Sequence, residues 1–173
     1  ERVIINAFDW GSEFPFKFDV IGGNPPYGAT FTEDVEKYLR DKYVTLSQRA
    51  ESYILFIEKA IHLLVEGGLL GYITPDTYLN LGFTSSLREY LLTNTSIKEV
   101  VVLPANVFKQ ATVDTALLFF ERMTPHKPFI ESDVTIKVFN KKQTITSIEE
   151  CPRQFGVSTM TWHREGFFNT QAN

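Results

Sequence analysis

The chain has 173 residues, and its 17 Lys and Arg against 21 Asp and Glu give a formal net charge of −4. Hydrophobic residues make up 43% and charged residues 22%, which is typical of a globular domain and excludes a disordered, collagen-like or coiled-coil chain. No apolar run approaches the ~18 residues of a membrane span, and no secretory signal pattern opens the chain. The mildly acidic balance shows no basic nucleic-acid footprint, so a DNA or RNA partner must be held by a local cleft or by another module.

Two features predict the cellular compartment of the chain and its place in a longer polypeptide. The single cysteine, Cys151, cannot form an internal disulfide, which favours a reducing compartment and predicts a cytoplasmic protein. The chain opens at Glu1, without a Met and already in an apolar run, so we expect it to be a piece of a longer polypeptide.

Strand-like segments alternate with helix-like segments along the chain. The strand-like segments are apolar almost throughout, which is typical of strands covered on both faces of a sheet. Their alternation with helices predicts a doubly wound α/β sheet. The predicted strands are Phe18–Gly22, Leu69–Thr74, Ile97–Leu103, Val113–Phe120 and, more weakly, Asp133–Phe139.

The helix signals lie between these strands. Residues 33–40 predict a short helix. Thr45-Leu46-Ser47-Gln48 has the form of a capping box, which predicts the start of a longer helix that Gly67-Gly68 ends. Thr84 or Ser85 is the predicted N-cap of the next helix. Residues 147–150 predict one further short helix, and from Cys151 onward the sequence predicts no element.

One segment carries chemistry, namely Phe18-Asp19-Val20-Ile21-Gly22-Gly23-Asn24-Pro25-Pro26-Tyr27-Gly28. Its strand leads into Asn-Pro-Pro-Tyr, and ligands of open α/β sheets bind at the carboxyl ends of strands. The two prolines fix the backbone and remove two N–H donors. The side-chain oxygen of Asn24 and a proline carbonyl then form a rigid pair of acceptors that suits an exocyclic NH₂ group. Tyr27 adds a flat face for stacking on a base.

The alternative is a purely structural role, in which the segment is a turn that ends a strand, because Asn and Pro are common turn residues. For the dipeptide Asn24-Pro25 alone this alternative is the better interpretation. The whole strand followed by the tetrapeptide, in an α/β context, favours the functional one.

The same segment resembles the catalytic motif of S-adenosyl-L-methionine-dependent amino-methyltransferases, and of gamma-type N6-adenine DNA methyltransferases in particular. The similarity is strongest to the methylase part of fused restriction–modification polypeptides of type IIG. It covers residues 1–122 in order and matches nothing we can name in residues 123–173. Beyond the motif it is carried by residues 53–60, residues 67–75, Leu87-Arg88, Val107-Phe108 and residues 112–120.

The resemblance implies a Rossmann-like methyltransferase fold with the strand order 3-2-1-4-5-7-6. It implies that residues 1–122 are the C-terminal part of a catalytic domain and that residues 123–173 lead toward a target-recognition region. On this template Val3–Asn6 is strand three, Phe18–Gly22 strand four, Leu69–Thr74 strand five, Ile97–Leu103 strand six and Val113–Phe120 the antiparallel strand seven.

The resemblance also implies residue roles. Asn24, Pro25, Pro26 and Tyr27 would be the catalytic tetrapeptide, acting on an adenine flipped out of double-stranded DNA. Asp9 and Trp10, with Asn24, would contact S-adenosyl-L-methionine, although Asp9 is equally explained as a solvated loop residue. Tyr27 and Phe108 would line the pocket for the flipped base, although Phe108 is equally explained as a core residue. No metal is expected.

The chain departs from the family in lacking the Gly-rich cofactor loop and strands one and two. We therefore expect the chain alone to be inactive, with target-recognition and possible nuclease modules in the same polypeptide. Two alternatives stay open. One is an RNA or protein-glutamine methyltransferase of the same fold, and the other is a non-catalytic remnant of the fold that serves as a scaffold.

Overall fold

The computed structural model describes residues 10–47, 49–105, 107–108, 113–124 and 130–171. Within these ranges the strands are β1 (Phe18–Gly23), β2 (Leu64–Pro75), β3 (Thr95–Val102), β4 (Thr115–Arg122), β5 (Asp133–Val138) and β6 (Arg153–Ser158). The helices are α1 (Trp10–Glu13), α2 (Glu33–Lys42), α3 (Ser52–Leu63), α4 (Ser85–Asn94) and α5 (Thr159–Glu165). Short 3-10 turns cover Asp76–Leu79, Gly82–Thr84 and Ile148–Glu150.

The strands form one mixed sheet with the order β1-β2-β4-β3-β5-β6. β1 lies parallel to β2, whereas β4 runs antiparallel to both of its neighbours, β2 and β3. The first four positions therefore reproduce the order 4-5-7-6 with an antiparallel strand seven, which confirms the predicted methyltransferase fold. The segment predicted as strand three, Val3–Asn6, lies outside the described residues.

The core forms where α3 packs on the sheet. Tyr53, Ile54, Ile57 and Ile61 recur at helical spacing, so they share one face of α3 and are at most 3% exposed. The inward side chains of β2, β3 and β4 meet this face, for example Leu70, Ile97, Val100, Leu118 and Phe120. Packing of α3 on β2 sets the position of the helix start, which lies behind the Asn-Pro-Pro-Tyr segment.

Two predictions about the boundaries of α3 are wrong. The helix starts at Ser52 after Glu51, so Thr45 does not cap it. Gln48, the other end of the predicted box, lies outside the described residues. The helix ends at Leu63, before Gly67 and Gly68, because β2 already begins at Leu64 and the glycines lie within it, beside the register shift against β1.

Thr45 instead belongs to a polar network around Glu58, a carboxylate of α3 that is only 2% exposed. One Glu58 oxygen accepts hydrogen bonds from the N–H and the hydroxyl of Thr45, and the other accepts from the N–H of Val44. His62 Nε2 lies 3.8 Å from the same carboxylate. Burial acts to raise the pKa of Glu58, but the interactions with His62, Thr45 and Val44 outweigh it, so the pKa is lowered. The network fixes the segment that leads into α3.

We expect Glu58→Gln to destabilise the chain by about 1.5–3 kcal/mol at pH 7, the usual contribution of hydrogen bonds to a charged group. Because the folded-state pKa is lowered, the contribution of Glu58 is present above the unfolded-state pKa of about 4.3 and is lost as the pH falls through the folded-state value. Urea unfolding of both proteins between pH 7 and pH 3 measures the difference, which should shrink toward acid pH. Glu89→Gln, at an exposed position, is the matched control. A difference that does not change with pH would contradict this assignment.

The residues after the predicted catalytic part extend the same sheet. β5 lies parallel to β3, and β6 lies antiparallel to β5. Val134, Ile136, Trp162 and Phe168 are at most 1% exposed and join the core beneath α3 and α4. The strand predicted at Asp133–Phe139 is thus present as β5. The division into functional regions at residue 122 stays a prediction.

Candidate active site at the carboxyl end of β1

The Asn-Pro-Pro-Tyr segment leaves the sheet where β1 ends at Gly23. Asn24 is exposed, Pro25 is buried and Tyr27 is half-buried. The turn closes at Gly28, whose φ of 66° lies in the left-handed region that glycine adopts at little cost. Since β1 and β2 are parallel, the residues that follow both strands meet at this edge of the sheet.

Hydrogen bonds fix the tetrapeptide to the elements on either side. The Tyr27 hydroxyl lies within hydrogen-bonding reach of Asn24 Oδ1 and of the carbonyl oxygen of Ile73 in β2, the latter at 3.0 Å. Ser52 Oγ, at the start of α3, donates to the carbonyl of Pro26 at 2.6 Å. Among the described residues, no donor pairs with the carbonyl of Pro25. These hydrogen bonds fix the turn that carries the side-chain oxygen of Asn24 and the carbonyl oxygen of Pro25.

A cavity of about 400 Å³ opens beside Tyr27. Its walls come from the turn, from the start of α3 and from the loop after β2. Arg49 and Glu51 form an ion pair of 2.8 Å at one wall. The hydroxyls of Tyr53 and Thr77 share a hydrogen bond of 3.0 Å, which joins α3 to the loop after β2. The lining residues are Tyr27, Gly28, Arg49, Glu51, Tyr53, Pro75, Thr77, Leu81, Phe83 and Val113.

The pKa values of three groups at this edge of the sheet, Tyr27, Tyr53 and Asp76, are shifted toward the neutral form. Burial raises the pKa of Tyr27, and it raises the pKa of Tyr53 to about 12, so both phenols remain protonated donors near neutral pH. Burial and the nearby charge of Asp114 raise the pKa of Asp76, which follows Pro75 at the end of β2. Lys141 acts in the opposite direction. The cavity therefore offers aromatic faces and neutral hydroxyls next to the tetrapeptide.

Of the predicted site residues in the described ranges, only Tyr27 lines this cavity; Asn24 and Pro25 precede it in the same turn, and the remaining ones lie apart. Asp9 is outside the described residues. Trp10 lines a second, mostly apolar cavity of about 280 Å³ between β1 and α3, which also contacts Phe18, Gly22 and Lys59. Phe108 is half-buried and lines neither cavity. Asn24, Pro25 and Tyr27 lie in one turn, whereas Trp10 lies at the separate cavity between β1 and α3.

The cavity beside Trp10 fits only part of S-adenosyl-L-methionine. Its apolar walls and the flat indole of Trp10 suit an adenine ring. The ribose hydroxyls and the sulfonium cation need acceptors, whereas the charged group that lines this cavity is the cation Lys59. Among the described residues the fit is therefore to the adenine moiety alone.

Sequence reasoning missed most of the residues that line the main cavity, among them Arg49, Thr77 and Phe83. Thr77 could have been found, because it follows the carboxyl end of a predicted parallel strand, where ligands of α/β sheets bind. Arg49 and Phe83 lie in loops without a motif. Tyr53 entered the sequence analysis only within residues 53–60, a segment of the family resemblance to which no site role was given.

Two further observations concern the part of the chain that the structure describes. No three side chains among its His, Cys, Asp and Glu come together as a metal-binding group. None of its helices has the length and the apolar character needed to cross a membrane.

The sheet order 4-5-7-6, its antiparallel strand and the Asn-Pro-Pro-Tyr turn at the end of β1 together define a methyltransferase-type α/β domain. The chain belongs to the Eco57I restriction-modification methylase family, whose model matches residues 2–108. The predicted resemblance to restriction–modification methylases is therefore confirmed.

Individual relatives agree with this family. The type II restriction enzyme and methyltransferase RM.Eco57I of Escherichia coli is 36% identical over 125 residues, which cover 68% of this chain and 12% of that protein. A chain of a type I restriction–modification system superposes with a TM-score of 0.67 at 22% identity, over 94% of this chain and 38% of its own. The type IIG restriction endonuclease BpuSI superposes with a TM-score of 0.61 at 16% identity, over 87% of this chain and 20% of its own. The two structural likenesses concern the fold alone.

Proposed function

We propose that this chain carries the catalytic centre of a DNA methyltransferase that modifies the N6 amino group of adenine in a restriction–modification system. The observation that carries the proposal is the turn that begins with Asn24 and Pro25 at the carboxyl end of β1 and brings Tyr27 to the wall of a cavity of about 400 Å³. Family membership supports DNA as the substrate, since the Escherichia coli relative is a restriction enzyme and methyltransferase.

Asn24 and Pro25 offer the acceptors that an adenine amino group needs. The nitrogen of that group is a poor nucleophile, because its lone pair is delocalised into the ring. Hydrogen bonds from the NH₂ group to Asn24 Oδ1 and to the Pro25 carbonyl favour a tetrahedral nitrogen whose lone pair can attack. Asn24 Oδ1 has a second lone pair, so it can accept from the base while it accepts from Tyr27. This is catalysis by positioning and fixed dipoles rather than by a titrating acid or base.

The aromatic walls of the cavity would hold the flipped base. Extrusion of an adenine from the duplex costs a few kcal/mol. Stacking on an aromatic side chain contributes about 1–3 kcal/mol per base, so Tyr27 and Phe83 can offset much of that cost. Phe108, the second aromatic predicted for this pocket, stays a prediction.

S-adenosyl-L-methionine, when bound, supplies the methyl group as a sulfonium. Trp10 would offer a surface for its adenine ring, and Asn24 would lie next to the methyl group at the end of β1. We propose that the rest of the cofactor site, the target-recognition region and any nuclease belong to other parts of the same polypeptide, and that double-stranded DNA is the partner. The 12% share of the Escherichia coli relative supports this division. On this view the 173-residue chain alone transfers no methyl group.

The test is analysis of the methylated product. The complete protein encoded by the gene is incubated with duplex DNA and tritiated S-adenosyl-L-methionine, and the DNA is then digested to nucleosides. We expect all of the label in N6-methyldeoxyadenosine, and none with the isolated chain as the control. Label in a cytosine product, in RNA or in protein would assign a different substrate, and no transfer at all would favour the scaffold interpretation.

A further inference from the structure

The loop after β2 forms one wall of the candidate site, although it carries no part of the motif. It runs through the two 3-10 turns, Asp76–Leu79 and Gly82–Thr84, before α4 begins. Thr77, Leu81 and Phe83 of this loop line the cavity beside Tyr27. Leu81 is 42% exposed, so the core does not hold this wall by itself. Tyr78 and Leu79 anchor the loop in the core and Thr77 bonds to Tyr53, and further contacts reach the loop from behind.

The guanidinium of Arg88 lies directly behind this loop. Arg88 is on α4 and is only 5% exposed. Its Nη1 lies 2.9 Å from the carbonyl oxygens of Tyr78 and Leu81 and 2.6 Å from Thr84 Oγ1. In the described ranges Arg88 forms no ion pair with a carboxylate. Loop carbonyls therefore supply the acceptors for a buried charge, an arrangement that leaves the loop little freedom to move.

The other side of the guanidinium reaches the C-terminal segment. Arg88 Nε donates to the carbonyl of Gly166 at 2.9 Å. Gly166 is the C-cap of α5 and has a φ of 74°. The direction of its carbonyl therefore depends on the left-handed backbone conformation of Gly166 itself. Two residues later, the N–H of Phe168 donates to the carbonyl of Leu79 at 2.6 Å. The C-terminal segment thus contacts the loop directly at Leu79, and indirectly through Arg88.

We infer that Arg88 is a positioning residue for the pocket of the flipped base, holding the wall formed by Thr77, Leu81 and Phe83 and coupling that wall to Gly166 at the end of α5. The inference rests on the proposed function. It assigns residues beyond 108, where the family match ends, a part in shaping the site. Arg88 touches neither the base nor the cofactor, and it acts through the loop.

The shape of arginine is the reason why we expect lysine to fail in its place. The planar guanidinium presents Nε and Nη1 in a fixed fork, so one side chain can bond Gly166 and the loop together. The single ammonium of lysine keeps the charge but has no rigid fork to serve both. A displacement of about 1 Å by a residue remote from the chemistry can lower the rate by as much as ~10²-fold.

The experiment compares Arg88→Lys with Arg164→Lys, a substitution of an exposed arginine on α5, in the complete protein encoded by the gene. Two quantities are measured: the single-turnover rate of methyl transfer at saturating DNA and cofactor, and hydrogen exchange of residues 77–84. For Arg88→Lys we expect a roughly 10- to 100-fold slower rate and faster exchange of the loop, with cofactor affinity within about twofold of the parent. A role limited to folding would lower the melting temperature without changing the rate per cofactor-binding site.

Gly166→Ala is the second variant. It tests the positioning role of Arg88 if Arg88→Lys does not fold. An added Cβ at Gly166 meets no atom within 4 Å, but the positive φ becomes strained and moves the carbonyl away from Arg88. We expect the same slower transfer and faster loop exchange. If both variants behave like Arg164→Lys while Asn24→Ala is inactive, the inference about Arg88 is wrong by itself. If Asn24→Ala transfers the methyl group at a normal rate, the proposed function is wrong, and the inference about Arg88 is then wrong as well.

Discussion

Asn24→Ala in the complete protein should lower the rate of methyl transfer by about 10²–10³-fold, the usual loss when one preorganised contact to the transition state is removed. The substitution deletes the side-chain acceptor, while Pro25 and Pro26 keep the turn fixed and Ser52 still bonds the Pro26 carbonyl. Cofactor affinity should change little, because on the proposed assignment Asn24 would make a single contact at the edge of that site. Single-turnover transfer of a tritiated methyl group, with cofactor binding by calorimetry, separates the two effects.

Two companion variants sharpen this test. Asn80→Ala removes an exposed asparagine of the loop after β2 and should leave transfer unchanged. Tyr27→Phe keeps the stacking face but releases Asn24 Oδ1 and the Ile73 carbonyl, so a loss of roughly two- to tenfold is expected for one neutral hydrogen bond. Near-normal turnover of Asn24→Ala would show that the tetrapeptide is only a turn.

Trp162→Ala should destabilise the fold by about 3–5 kcal/mol, a loss typical of a buried aromatic that is truncated to alanine. Trp162 is 0% exposed, and its ring stacks on Phe168 with centroids 4.3 Å apart. Its Nε1 also donates to the carbonyl of Asn169 at 3.1 Å. The substitution therefore removes core packing and leaves an unpaired carbonyl. Equilibrium urea unfolding of the 173-residue chain, followed by circular dichroism, measures the change.

Phe167→Ala is the matched control for this variant, because Phe167 is adjacent to Phe168 but is 40% exposed. Its effect should stay below about 1 kcal/mol, as for other exposed positions. Equal small effects of both substitutions would mean that residues 159–171 are not part of the same cooperative unit as α3 and β2.

The sheet up to β4 could be predicted because its strands are strongly apolar. Phe18–Gly23 and Leu64–Pro75 contain the segments predicted as strands, and Thr95–Val102 contains all of the predicted Ile97–Leu103 except Leu103. A continuous apolar run marks each of these strands in the sequence. The position of Asn24 and Tyr27 at a strand end followed from the same runs. The order of the strands, in contrast, came from the family resemblance, because pairing between distant segments leaves no local signal.

The elements that could not be predicted are those whose signal is weak or misleading. β6, Arg153–Ser158, is an exposed edge strand that contains a glycine, so it shows no apolar pattern. The box at Thr45 has the right spacing for a cap, but the Glu58 carboxylate competes for its hydroxyl and N–H. The cavity walls come from several loops, and only folding brings Arg49, Thr77 and Phe83 together.

The insertion of β4 between β2 and β3 has a consequence for the order in which the molecule can be built during synthesis. β1 and β2 can pair as soon as Pro75 is available, and β3 is complete at Val102. β2 and β3 are not neighbours in the sheet. A gap one strand wide separates them until β4, Thr115–Arg122, is available to fill it. Until then the edges of β2 and β3 that face this gap are unpaired, and such edges associate readily with other chains. The centre of the sheet can therefore close only after residue 122 has left the ribosome.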